Sequence, residues 1–89
     1  MTIEKIRSNI HNNMGNVAVI THNEGRNKIQ EYEGEVIEVY QNIFIIMDNN
    51  NKRSFSYYDV LTDTTRVFFK INNVKINVKW MIKCWQFYF

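Results

Sequence analysis

Apolar residues recur along this chain at two different periods, and the change from one to the other marks its main architectural boundary. Ile3, Ile6, Ile10 and Met14 are spaced by three, four and four residues, which places them on one face of a helix over residues 3–14. Thr2 suits the N-cap, Glu4 favours the first turn, and Gly15 can take the left-handed conformation that ends a helix. Beyond Gly15 the period drops to two. Val17 and Val19 open a strand over 17–21, and residues 22–27 have turn composition.

A long strand follows over 28–40, and its apolar parity switches near Gly34. That switch predicts a bulge or sharp bend at this glycine. The all-apolar run Ile43, Phe44, Ile45, Ile46, Met47 predicts a strand that is central or buried on both faces. Residues 48–51 form a turn, residues 52–57 the returning hairpin strand, residues 58–61 a helical turn with Asp59 as polar anchor, and residues 66–69 a last strand. One helix and five short strands with hairpin-length connections predict a mainly β fold, a small five-stranded barrel preceded by an N-terminal α-helix. SH3-like, Sm-like and oligonucleotide-binding barrels all fit this order.

Residues 70–89 differ. Val74, Ile76, Val78, Trp80 and Ile82 alternate with Lys75, Asn77, Lys79, Met81 and Lys83, and the chain ends Trp85, Gln86, Phe87, Tyr88, Phe89. The alternation predicts an added C-terminal strand over 74–82, with Val74, Ile76, Val78 and Trp80 on apolar surface and Lys75 and Lys79 in water. A docking segment for a membrane surface or partner, or a poorly ordered end, are the other readings. The domain organisation is therefore a body over 1–69 and a basic, aromatic extension over 70–89.

Length and composition then narrow the function. Eighty-nine residues make one domain. A hydrophobic content of 45% supports a folded core. Thirteen asparagines and no proline are assigned no function. The single Cys84 leaves no intrachain disulfide and no cysteine-rich zinc site, which fits a reducing cytoplasm. Glu4, Lys5 and Arg7 near the start do not match a signal peptide, and the longest apolar run is far below the roughly 20 residues of a membrane span. A soluble cytoplasmic protein is expected. Residues 1–69 carry seven basic and nine acidic side chains, so the body lacks the basic footprint usual for nucleic-acid binding. Residues 70–89 carry four lysines and no acid.

Candidate chemistry is sparse. His11 and His22 fall on a helix end and a turn, without metal-ligand spacing. The stretch Ser54, Phe55, Ser56, Tyr57 lacks the glycines of a nucleophile elbow, and three glycines are too few for a phosphate-binding loop. Glu31, Glu33, Glu35 and Glu38 read as a solvated strand face. No catalytic residue, metal or cofactor is expected. One constellation suggests binding: Gly25, Arg26 and Lys28 on a turn, and Lys52 and Arg53 at the end of the central hairpin, with Tyr32, Tyr40, Phe55 and Tyr57 nearby in sequence. It could grip an oligonucleotide by stacking and phosphate contacts, or be a solvated loop beside an aromatic core.

Several of these residues recur in a known family. Gly25-Arg26-Asn27-Lys28, Gly34, Glu38-Val39-Tyr40, Phe44-Ile45-Ile46 and above all the stretch Ser54-Phe55-Ser56-Tyr57-Tyr58-Asp59-Val60-Leu61-Thr62 resemble the Veg family of small bacterial proteins. The similarity covers residues 3–69, and residues 70–89 have no counterpart in it. The resemblance implies a cytoplasmic non-enzyme with a small SH3/Sm-like barrel. It also implies a link to biofilm formation through antagonism of a transcriptional repressor. On that basis Gly25, Arg26 and Lys28 form a contact loop for a protein partner, whereas Lys52 and Arg53 join that loop in the alternative nucleic-acid reading. Gly34, Tyr40, Phe44, Ser56, Tyr57, Asp59, Leu61 and Thr62 hold the framework around them. An RNA- or DNA-binding module and a homo-oligomer built through exposed strand edges are the alternative functions.

Overall fold

Helix α1, Ile3–His11, begins where Thr2 Oγ1 accepts the Lys5 N–H at 3.2 Å, and it buries Ile6 and Ile10 completely. The computed structural model describes residues 2–80. The helix stops three residues short of the expected end, capped by Asn12. Gly15 is left-handed as expected (φ 89°), but it closes the following turn and donates its N–H to the Val36 carbonyl at 3.2 Å. Met14 consequently leaves the apolar face and is 39% exposed.

The strands are β1 (Val17–Asn23), β2 (Ile29–Val39), β3 (Ile43–Asp48), β4 (Asn51–Ser56), β5 (Thr65–Ile71) and β6 (Val74–Asn77). They form one six-stranded sheet in the order β4-β3-β2-β1-β5-β6, with every neighbouring pair antiparallel. Helix α2, Tyr57–Leu61, joins β4 to β5, and a 3-10 helical turn, Val78–Trp80, follows β6. Among the described residues no ladder joins β4 to β5 or β6, so barrel closure is not part of this hydrogen-bonded pattern.

β2 carries the curvature. Its bulge falls between Val36 and Glu38, not at Gly34, which pairs regularly with Ala18. The parity switch read in the sequence is real, and the extra residue is Ile37: it lets Val39 return to the core side after Tyr32 and Val36. Gly34 serves a different purpose. The Met47 carbonyl carbon lies 2.8 Å and the Asp48 nitrogen 3.3 Å from where a Cβ would stand, with the Met47 oxygen closer still. Only glycine lets β3 approach this closely.

The core lies between the inner face of the sheet and the two helices. α1 contributes Ile6 and Ile10, β1 Ala18 and Ile20, β3 Phe44 and Ile46, α2 Tyr57 and Val60, and β5 Val67 and Phe69. β3 lies one strand in from the edge, with Phe44 and Ile46 buried and Ile45 and Met47 half-buried, so its apolar run marks an interior strand and not the centre of the sheet.

The added C-terminal strand exists but is shorter than expected. β6 pairs with β5 only as far as Asn77. Asn77 Oδ1 then accepts the Lys79 N–H at 2.9 Å, a local bond that turns the chain out of the ladder. The turn drives Val78 fully into the core, where Asn9 Nδ2 of α1 donates to its carbonyl at 3.0 Å. The expected facing is therefore only half right. Ile76 and Val78 pack inward, but Val74 and Trp80 are 57% and 77% exposed. Lys79 does not point into water: its Nζ donates to the Leu61 carbonyl at 3.0 Å and to Asp63 Oδ1 at 2.9 Å. The aromatic terminus expected at residues 85–89 lies outside the described residues.

Candidate functional site

The β1–β2 turn is built from three consecutive left-handed residues, Gly25 (φ 101°), Arg26 (φ 45°) and Asn27 (φ 65°). Glu24 N–H donates to the Lys28 carbonyl, Lys28 N–H to the Gly25 carbonyl, and Gly25 N–H to Asn23 Oδ1, each at 2.8 Å. These bonds fix the turn and leave the Arg26 and Lys28 side chains exposed. An arginine at positive φ is costly by roughly 1–2 kcal/mol, so the surrounding bonds hold a conformation that Arg26 does not prefer.

Lys52 and Arg53 lie on β4, across an open cleft of about 570 Å³. His22 and Glu24 come to its lining from β1 and the turn, Tyr32 from β2, Ser54, Phe55 and Ser56 from β4, and Asp59 from α2. The sequence-predicted residues thus divide. Lys52, Arg53, Ser56 and Asp59 line the cleft, whereas Gly25, Arg26 and Lys28 form a turn beside it that reaches it only through Glu24.

The floor is formed by His22, Tyr32 and Phe55, backed by the buried rings of Phe44 and Tyr57. Phe55 sits 5.6 Å from Tyr32, 5.9 Å from His22 and 5.8 Å from Phe44, and Phe44 stacks on Tyr57 at 5.6 Å. Arg53 places its guanidinium 4.8 Å above the Tyr32 ring, a cation–π contact. Its Nε also reaches Asp48 at 3.8 Å, and Lys52 Nζ reaches Glu38 at the same distance. Exposed pairs this long hold their cations loosely. His22, a turn residue by composition, is in β1, with Nδ1 2.6 Å from Thr65 Oγ1.

The framework residues act as a brace at the other end of the cleft. Ser56 is the N-cap of α2, its Oγ accepting the Tyr58 and Asp59 N–H groups at 3.0 and 3.3 Å. Asp59 anchors through its backbone, whose carbonyl accepts the Thr62 hydroxyl at 3.3 Å. Thr62 caps the C-terminus and Leu61 packs at the core margin. Tyr57 is buried and donates its hydroxyl to the Tyr40 carbonyl at 2.7 Å. Burial raises the Tyr57 pKa, with Arg7 opposing. The Tyr40 hydroxyl donates to Glu38 at 2.5 Å, and that bond to a carboxylate raises its pKa. Arg7, missed in the sequence, ties α1 to the β2–β3 corner by donating to the Gln41 carbonyl at 2.9 Å.

Among the described residues no three histidine, cysteine or acidic side chains converge as a metal site. No helix among them is long and apolar enough to cross a membrane. What the cleft offers is an aromatic floor, two loosely held cations and a strand edge, which are features of a binding surface. The family model described as biofilm formation stimulator VEG matches residues 1–68.

The chain belongs to the VEG family. The match ends within β5, so α1, the sheet from β4 to β1 and α2 are the parts shared with the VEG model, and β6 lies outside it. The stretch Ser54–Thr62 that carries the strongest resemblance contains the end of β4 and the capped helix α2 that braces the cleft. No curated protein matches the chain.

Proposed function

We propose that this VEG-family chain is a non-enzymatic regulatory protein that binds a protein partner, a transcriptional regulator, and thereby promotes biofilm-related gene expression. The observation that carries this is the family match across residues 1–68 to a biofilm formation stimulator. The geometry is in keeping with it: a strained, well-bonded turn presents Gly25, Arg26 and Lys28 beside a cleft lined by Lys52 and Arg53. A cytoplasmic location belongs to the same reading, since a transcriptional regulator would be met there. So does a small SH3-like or Sm-like barrel as the family body over residues 1–69, supported by the close approach at Gly34 and the bulge at Ile37. The extension over 70–89 then adds β6 to that body.

The test is recovery of tagged chain from its own cells after crosslinking, with and without nuclease. A regulator retained after nuclease and lost with Arg26→Ala/Lys28→Ala is expected. The second reading, binding of single-stranded nucleic acid, is favoured by Arg53 lying on the Tyr32 ring next to Lys52. Recovery that depends entirely on nucleic acid would make that reading the correct one.

A further inference from the structure

β4 ends the sheet, and the hairpin that positions it also determines which of its backbone groups point outward. The β3–β4 turn holds two residues, Asn49 and Asn50, with Asp48 opposite Asn51 as the first pair. In a two-residue hairpin that flanking pair exchanges both hydrogen bonds, and bonded and non-bonded pairs then alternate. Arg53, opposite Ile46, and Phe55, opposite Phe44, therefore direct their backbone to β3. Lys52 and Ser54 direct theirs to the outer edge, and among the described residues no strand pairs there.

The cleft runs beside this edge. Its volume lies within the range of about 300–1,000 Å³ common for ligand sites. Phe55 and Tyr32 give it an apolar floor, and the Lys52 and Arg53 side chains are 62% and 44% exposed. Asp59 at the α2 end gives it a polarity along β4. A second copy of the chain fits poorly. The other terminal strand, β6, and its turn carry Lys75 and no acid, so docking it here would set lysine against Lys52 and Arg53.

We propose that an extended segment of a protein partner adds to the outer edge of β4. Its acidic side chains lie on the face of Lys52, and its apolar side chains lie on the opposite face, beside Arg53 and over the Tyr32–Phe55 floor. The segment carries no acid at the end that meets Asp59. Main-chain bonds to Lys52 and Ser54 supply the affinity, and the cations and rings supply the selection. This rests on the reading that the chain binds a protein.

The experiment uses the full chain and a fluorescein-labelled, capped peptide of sequence Glu-Val-Glu-Val-Thr-Val, followed by anisotropy. The peptide is expected to bind, and to slow hydrogen exchange at the Lys52 and Ser54 amides. Its twin methylated on alternate backbone nitrogens should bind at least about tenfold more weakly, as should a twin with lysine for glutamate. Lys52→Glu/Arg53→Glu, which also removes the Arg53–Tyr32 contact and two exposed ion pairs, should lose the peptide while keeping the cooperative melting transition of a folded chain. No binding at millimolar peptide, equal binding of the methylated twin, or protection elsewhere overturns the proposal. So does slowed exchange at Lys52 and Ser54 in the unliganded chain, which would mean that its own residues or a second copy already hold the edge. A regulator captured equally by wild type and Lys52→Glu/Arg53→Glu would remove strand addition while leaving the protein-binding function standing.

Discussion

Replacing Gly34 by alanine puts a methyl group 2.8 Å from the Met47 carbonyl carbon and 3.3 Å from the Asp48 nitrogen. These are backbone atoms of β3, so no side-chain rotation relieves the contact. At an unconstrained position glycine to alanine stabilises by roughly 0.4–1 kcal/mol through the unfolded chain. Overpacking costs about 1–3 kcal/mol, and a clash with a paired strand belongs at the upper end. The net expectation is a loss of about 2 kcal/mol, or roughly 8–16 °C in melting temperature for a domain of this size. Thermal unfolding followed by circular dichroism reads it directly. Gly25→Ala is the internal control: nothing lies within 4 Å of its Cβ position, so only its φ of 101° is penalised. Gly34→Ala melting at or above wild type would refute the close approach of β3 to β2.

Ser56→Ala removes the α2 N-cap and should cost about 0.5–2 kcal/mol in urea unfolding. Tyr57→Phe leaves the Tyr40 carbonyl without its 2.7 Å donor and should cost about 1 kcal/mol by the same assay. The hydrogen bond from Lys79 holds the Asp63 carboxyl below the usual aspartate range. A depressed folded-state pKa gives stability that is present above the unfolded value near about 4 and lost as pH falls through the folded one. The stability difference between wild type and Asp63→Asn should therefore shrink on acidification below about pH 4, and a constant difference would count against the Lys79 bond. Val78→Ala should destabilise by about 2 kcal/mol if the turn after β6 belongs to the core, whereas no change would detach it.

Periodicity made the elements legible because each was written in a local signal. The spacing of Ile6 and Ile10, the Thr2 cap and the apolar run of β3 each name their structure without reference to the rest of the chain. The asparagine excess carries turn information that composition alone does not reveal. Asn27, Asn49, Asn72 and Asn73 all stand at positive φ, so part of the asparagine excess is turn chemistry in a chain with few glycines. The end of β6 was not legible. Alternation predicted a strand to residue 82, but the Asn77 side chain offers the backbone a competing bond and the core has room for Val78 beneath α1.

The candidate site shows the limit more sharply, since its parts are distant in sequence and meet only through the curvature of β2. Shared basic charge groups Arg53 with the Arg26 loop in the sequence, yet its ring partner is Tyr32 and its carboxylate partner is Asp48. His22 and Phe55 carry no joint signal in the sequence, and it is the run of antiparallel ladders from β1 through β2 and β3 to β4 that sets their rings 5.9 Å apart. Placing β4 over that end of the sheet depends on β3 passing close to β2 at Gly34 and on the bulge at Ile37 turning the strand. The candidate surface is thus coupled to two backbone features that lie outside the lining of the cleft. A VEG-family variant altered at Gly34 would lose binding through the position of Arg53 and Phe55, with the Gly25–Lys28 turn and all its charges intact.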